Sequence, residues 1–395
     1  MKQEIKERIE LINKGIVPAG YKKTPVGICP IEWETSKLSE LTTFVGGGAP
    51  STKNRSYWEG NIPWISSSDV SDEGIYNIFV KKFINEESIN NSATKLIPKD
   101  SILVVTRVGV GKLAINTVEI CTSQDFTNLI NIKINKKFLA FYLKELINKN
   151  LKNTQGTSIK GITTKELGNY EIFSNNILEQ QKIAEILDCA TRQVELQEQL
   201  VDKLKVQKKA LMQKLLTPQP DWQEVKLGDI CEDIYQPQTV PQKEFKNNGY
   251  KVYGANGFIG FYDKYNHKEW QVVLSCRGDC GTINKTEPES WINGNAMVLK
   301  IEENEFIDKN YFYYQCLATS FKDVIDNSGI PQITRTPLLK KNFRFIENMN
   351  VQKKLANIFI NIDKRIELQQ KLLEQYKLRQ IALMQLLLTG IVRVG

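Results

Sequence analysis

The stretch ALMQKLLT at residues 210–217 returns as ALMQLLLT at 382–389, 172 positions later. Upstream, QQKIAEIL at 180–187 is echoed at the same offset by QKKLANIF at 352–359. The beginnings of the halves also correspond: EWETSKLSEL at 32–41 aligns with DWQEVKLGDI at 221–230. Self-similarity at a long fixed period marks a duplicated architecture. Each half is therefore a variable globular part followed by a shared helical part.

The helical parts carry a heptad seam, apolar residues alternating at spacings of four and three. In the first copy it runs through Ile183, Leu187, Val194, Val201, Leu204, Leu211 and Leu215, with Gln197 and Lys208 as polar members. In the second it runs through Leu355, Phe359, Ile362, Ile366, Leu373, Leu383 and Leu387, with Gln369 and Gln380 at the same two polar positions. About five heptads amount to roughly 50 Å of helix at 1.5 Å per residue. A polar residue in such a seam costs stability and fixes register, so these positions are expected to set the pairing. Thr217-Pro218 stops the first helix and Gly390 the second.

The helices could pair with each other in either direction, or with another chain. Antiparallel pairing sends the two globular parts to opposite ends and creates a pseudo-twofold axis. Gly15-Ile16-Val17, after a short amphipathic helix bearing Ile5, Ile9 and Ile12, echoes Gly390-Ile391-Val392. The N-terminal arm thus reads as the spare end of a helical repeat, expected to dock near the C-terminus. The expected fold class is α+β: two globular domains separated by two long antiparallel helices, in a quasi-circular repeat. The expected boundaries are an arm at 1–29, a domain at 30–176, a helix at 177–218, a domain at 219–348, a helix at 349–390 and a tail at 391–395.

Net charge is +8, but the globular parts share little of it: residues 30–176 hold 17 basic and 15 acidic side chains, residues 218–348 hold 15 and 18. Bulk charge alone does not mark a nucleic-acid binder, so any DNA face must come from local placement of Lys and Arg. Seven scattered cysteines argue against a disulfide framework and for a reducing cytoplasm. No apolar run reaches the length of a membrane span, and the charged N-terminus does not read as a signal peptide. With one histidine, His267, imidazole-based catalysis and His-rich metal sites have little to work with.

Both globular parts are rich in short β-patterned segments with Gly and Asn at turns. In the first, residues 102–106 and 113–115 flank a turn containing Arg107 and Lys112; in the second, residues 272–276 and a segment from Thr282 flank one containing Arg277. An aromatic helix follows each, then a polar segment, GTSIKGITTKEL at 156–167 and SGIPQITRTPLL at 328–339. An Arg at a strand end beside a glycine turn suits DNA, because turn amides can meet phosphate and a guanidinium can fork onto guanine. A plain hairpin with a solvated Arg has the same pattern. The candidate DNA-contact residues are Arg107, Lys112, Lys160, Thr163 and Thr164 in the first domain. In the second they are Tyr253, Asn256, Arg277, Gln332, Thr334 and Arg335.

This layout resembles the specificity subunit of type I restriction-modification systems across essentially the whole chain. The resemblance rests on GYKKTPVGICPIEWE at 20–34, NIPWISSSDV at 61–70, YKVYGANGFIGFYD at 250–263 and the two helices ending ALMQKLLT and ALMQLLLT. It implies a non-catalytic subunit whose two target-recognition domains each read one half of a split, asymmetric target in double-stranded DNA. The helices set the spacer and dock two modification (methyltransferase) subunits, through which a restriction (motor and nuclease) subunit joins. The chain itself then needs no cofactor; S-adenosylmethionine, ATP and magnesium belong to the partner subunits. PWISSSDV has no counterpart in the second half, where VYGANGFIG stands instead, so two recognition subtypes are expected. The competing class is a coiled-coil scaffold whose globular ends bind proteins, and salt-dependent affinity for duplex DNA separates the two.

The chemistry of an enzyme is missing from the motifs. No Pro-Pro dipeptide supplies a base-holding methyltransferase loop, and Gly111-Lys112 is followed by Leu113 rather than the hydroxyl residue of a phosphate loop. Glu224-Val225-Lys226 resembles half of a nuclease carboxylate motif, but its aligned partner EWETSKL lacks the pattern. Cys276, Cys280 and His267 lack a usual zinc spacing, and buried thiols explain the cysteines. No metal site is expected.

Overall fold

The computed structural model describes residues 3–153, 161–301 and 306–394; the candidate Lys160 lies outside them. The chain forms two compact units, residues 1–199 with 371–395, and residues 200–370.

In the first unit an antiparallel sheet runs in the order Thr43–Gly46, Phe126–Ile130, Ile102–Val105, Leu113–Ile115. The strand Ile102–Val105 is apolar throughout because both of its faces are buried. Ile102 and Val104 point to a core shared with the helix Lys136–Asn153, through Phe138, Leu139 and Leu143. Leu103 and Val105 point the other way, onto Ile65, Ile97 and Ile120 of a second sheet. That sheet is ordered Lys82–Ile84, Ile62–Ile65, Ile120–Thr122, Leu96–Ile97, its Ile62–Ile65 and Ile120–Thr122 strands being parallel.

The second unit repeats the plan. Its main sheet is Asp233–Tyr235, Ala296–Lys300, Val272–Ser275, Ile283–Lys285, and its second sheet is Gly257–Tyr262, Tyr250–Gly254, Trp291–Ile292. Val272 and Leu274 face the helix Lys309–Ala318, and Val273 faces Ile292. Period-two alternation therefore builds the same two-sided core in both units.

The long helices run Ile177–Leu216 and Met349–Leu388. None of the apolar seam residues is exposed; Ile183, Leu187 and Phe359 are fully buried. Within the first unit Gln380 donates to the Thr191 hydroxyl at 2.8 Å, and Lys377 pairs with Glu198, an antiparallel register. Within the second unit Lys208 pairs with Asp363. Lys208 and Gln380 are repeat equivalents, as are Thr191 and Asp363. One polar seam contact has thus been made twice, once neutral and once ionic.

Each long helix also holds its domain by a buried glutamine near its start. Gln180 accepts the N–H of Asn135 at 2.9 Å, and its repeat equivalent Gln352 accepts the N–H of Asp308 at 2.7 Å. Asn135 and Asp308 in turn cap the aromatic helices, accepting from Phe138 and Tyr311. Gln180→Leu or Gln352→Leu is expected to cost about 1–3 kcal/mol each, by orphaning a buried donor. Urea titration checks this, and midpoints equal to wild type would contradict it.

The chain ends meet within the first unit. Tyr21 donates its hydroxyl to the Gly390 carbonyl at 2.7 Å, and Arg8 donates to the Ile391 carbonyl. Arg393 binds both oxygens of the Glu179 carboxylate and lies over the Trp33 ring. The arm and the tail close on each other, as the quasi-circular reading expects. Among the described residues no helix is long and apolar enough to cross a membrane.

Candidate nucleic-acid interface

Two surfaces, one per unit, are built the same way at the ends of the central strands. In the first, the strand Ile102–Val105 ends at Thr106, whose carbonyl accepts the N–H of Ile162 at 2.7 Å. In the second, Val272–Ser275 ends at Cys276, whose carbonyl accepts the N–H of Ile333 at 3.0 Å. Each bond lays the polar segment alongside a turn that begins with an arginine. Both turns close through a glycine in the left-handed region, Gly111 at φ +105° and Gly281 at φ +89°, where a side chain is strained. Matching Ile162 to Ile333 pairs Thr163 with Thr334 and Thr164 with Arg335.

Arg107 and Arg277 are both exposed, and neither side chain has a hydrogen bond or ion pair among the described residues. Both guanidiniums are therefore free to meet an external anion or base edge. Asn256 is exposed and donates to Asp279 of the second turn at 3.2 Å. Gln332 is exposed, its backbone bridging to Arg277 and Asp326. The structure thus gathers Asn256, Arg277, Gln332 and Thr334 on one surface; Thr334 stands at the N-cap of Arg335–Leu339 without a side-chain cap bond. In the first unit it gathers Arg107, Thr163 and Thr164.

Other candidates are committed elsewhere. Tyr253 is only 7% exposed, and its hydroxyl accepts the Glu287 N–H at 3.2 Å; burial raises its pKa. Its side chain belongs to the domain interior, because the strand Tyr250–Gly254 is buried over its last three residues, Val252 to Gly254. Arg335 donates to the Ile234 carbonyl at 2.6 Å and to Asp233 at 3.0 Å, so it pins the edge strand Asp233–Tyr235. Thr163 forms a capping box with Glu166, its hydroxyl accepting the Glu166 N–H at 3.2 Å. Lys112 lies 3.5 Å from the exposed Asp72 carboxylate. Thr164, the first residue of that helix, stays exposed.

PWISSSDV does have a counterpart, which corrects the sequence reading. Trp64 and Ile65 pair in parallel with Cys121 and Thr122, while Val252 and Tyr253 pair in parallel with Trp291 and Ile292. The two motifs occupy the same strand of the second sheet and differ in the segment after it. The first domain inserts residues 66–81; the second makes a tight turn at 255–256. Residues 66–68 therefore follow the same strand end as Asn256; Ser68 is exposed, while the Ser66 hydroxyl donates to Asp69 at 2.7 Å. Ser66 and Ser68 were missed because the equivalence lies in strand pairing, which side-chain pattern does not show.

The residues considered for metal or nuclease chemistry are placed in structural roles. The Cys276 thiol donates to the Asn295 carbonyl and the Cys280 thiol to the Pro331 carbonyl. His267 lies between the Tyr235 hydroxyl and Asn266; burial, with Lys300 nearby, pushes its pKa down to about 4. Glu224 pairs across strands with Arg344 and Asn342. Among the described residues no group of His, Cys, Asp and Glu could hold a metal ion.

The geometry defines a class: a duplicated α+β recognition protein, with an arginine turn and a polar segment on each domain and paired helices joining the plan. The chain belongs to the type I restriction modification DNA specificity family, whose domain model matches residues 30–206 and again 219–378. It is 26% identical over 410 residues to the type I restriction enzyme MjaVIII specificity subunit of Methanocaldococcus jannaschii, covering 92% of this chain and 94% of that one. To the MjaIX specificity subunit of the same organism it is 33% identical over 174 residues, 42% of this chain and 40% of that protein. Its fold is that of the type I restriction-modification S subunit from M. genitalium, with a TM-score of 0.61 at 18% identity over 90% of this chain and 96% of the other.

Proposed function

We propose that each domain reads one half of a split, asymmetric target in double-stranded DNA, with Arg107 and Arg277 as the principal base or phosphate contacts. The carrying observation is that one scaffold presents two arginine turns with different neighbours: Ser66, Ser68 and Thr164 in one, Asn256, Gln332 and Thr334 in the other. Shared backbone geometry with unlike side chains is what two different half-sites require. The helices then fix the gap, and the subunit itself performs neither methyl transfer nor cleavage. S-adenosylmethionine, ATP and magnesium act on the partner subunits, in the cytoplasm.

Two modification subunits are expected from the helices, with a restriction subunit joining through them. Leu196 and Leu378 are 66% and 68% exposed in the first unit; Val206 and Leu368 are 69% and 56% exposed in the second. Leu196 is the repeat equivalent of Leu368, and Val206 of Leu378. Exposed apolar side chains repeated on both helices support two equivalent docking sites. Leu196→Glu with Leu378→Glu is expected to reduce the bound modification subunits from two to one by native mass spectrometry. Retention of both would place docking elsewhere.

The reading is tested by selecting bound duplexes from a randomised pool, using this chain in complex with its modification subunits. Two short conserved blocks at a fixed gap are expected. A single contiguous block, or no enrichment, would contradict two-domain readout.

A further inference from the structure

Apart from its arginine turn, the first unit carries a cleft of about 600 Å³ lined by Arg55, Trp58, Glu59, Lys81 and Lys82, among others. Its place follows from strand register. Lys82 lies opposite Trp64 on the neighbouring strand, next to Ile65, where residues 66–68 begin. The Ile65 carbonyl accepts the Ser123 N–H at 2.8 Å, Ser123 donates its hydroxyl to Asp125 at 3.0 Å, and the Asp125 carbonyl accepts the Thr106 N–H at 2.8 Å. Thr106 precedes Arg107. The Lys82 side of the cleft, the serine tip and the arginine turn are therefore joined by a continuous run of hydrogen bonds.

The cleft wall is fixed before anything binds. Trp58 and Trp64 meet edge to face at 5.1 Å, and their indole N–H groups are satisfied by the Ser51 and Gly48 carbonyls. The Lys82 ammonium sits 5.5 Å from both rings, which holds its stem against them while the charge stays exposed. Arg55 is exposed with no hydrogen bond or ion pair among the described residues. Lys81, with a side chain 72% exposed, lies 3.8 Å from the buried Asp69 carboxylate. On the lining itself Glu59 is the opposing charge, against three cations. Point charges over an aromatic wall suit a phosphodiester chain rather than a base edge.

The second unit does not repeat this feature. Where Lys82 faces Trp64, Gly260 faces Val252, and the exposed side chains beside it are Phe258 and Ile259, 51% and 45% exposed. The nearby Lys251 is paired with Glu287.

Resting on the DNA-reading assignment above, we propose that the Arg55, Lys81 and Lys82 cleft is a sequence-blind clamp on the backbone of duplex DNA. It belongs to the first domain and makes the two half-sites unequal: one is held by backbone charge as well as by readout, the other mainly by readout. The first half-site then supplies more of the salt-sensitive affinity.

The test uses the complex of this chain with its modification subunits, titrated against a target duplex and a scrambled duplex over a range of salt. Arg55→Gln, Lys81→Gln and Lys82→Gln are combined; glutamine keeps the stems that cover the indole rings. The slope of log affinity against log salt is expected to become shallower by about 2 to 3, near 0.9 for each phosphate that the variant no longer neutralises. Both duplexes lose affinity alike, and the methylated motif stays the same. Phe258→Ser with Ile259→Ser is expected to leave the slope unchanged. A triple variant with the wild-type slope, or one that alters the recognised motif, would overturn the clamp while leaving the DNA reading intact. A wild-type complex that binds neither duplex overturns that reading, and the clamp with it.

Discussion

Replacing Trp33 with alanine is expected to lower the stability of the first unit by about 3–5 kcal/mol, the range for deleting a large buried aromatic. Trp33 is 1% exposed and packs against Phe173 with ring centroids 5.8 Å apart. Its indole N–H donates to Glu179 at 3.1 Å, and Arg393 closes over its ring from the C-terminal tail. One side chain thus joins the first domain, the first long helix and the tail. The same junction gives a pH dependence. Burial pushes the Glu179 carboxyl up, but hydrogen bonds from Arg393 and Trp33 and the charge of Arg393 outweigh it and hold it below the ordinary glutamate value of 4.5. A depressed folded pKa stabilises the fold above that value, and the contribution is lost as pH falls through the folded pKa. Glu179→Gln should flatten this acid limb. Urea titrations across pH check both; a Trp33→Ala loss below about 1 kcal/mol would show that closure depends little on this residue.

Arg107→Ala and Arg277→Ala should each cost about 1–3 kcal/mol of specific binding, roughly 5- to 150-fold. Each should relax one position in its own half-site and leave the other half unchanged. The reason is geometric: both guanidiniums are exposed and uncommitted, whereas Arg335 and Lys112 already have carboxylate partners. The arginines belong to different units and share no partner, so the double variant should show nearly additive losses. A uniform loss over all sequences would instead mark that arginine as a phosphate contact.

The duplication and the two helices were legible because repeats and heptads leave a one-dimensional trace; the direction of their pairing follows from contacts such as Gln380 to Thr191. Seam residues such as Ile183 and Phe359 had to be apolar, and their spacing alone identifies the buried face. The interface was legible only in part. Arg107 and Arg277 stand out by lying at strand ends beside glycine turns. The role of Tyr253 depended on both faces of its strand end being buried, and that of Arg335 on a carbonyl, Ile234, far away in sequence. Composition carries neither fact. Lys82 reads as an ordinary surface charge until strand pairing sets it against Trp64 and beside Trp58. Residues 66–68 become comparable with Asn256 only once both domains show the same parallel strand.

The most direct test of the central claim is methylome sequencing of a host expressing this chain with a cognate modification subunit. The account predicts a new methylated motif that is split and asymmetric, with Arg277→Ala degrading one half of it alone. No new methylation from a soluble complex with an active modification subunit would contradict it.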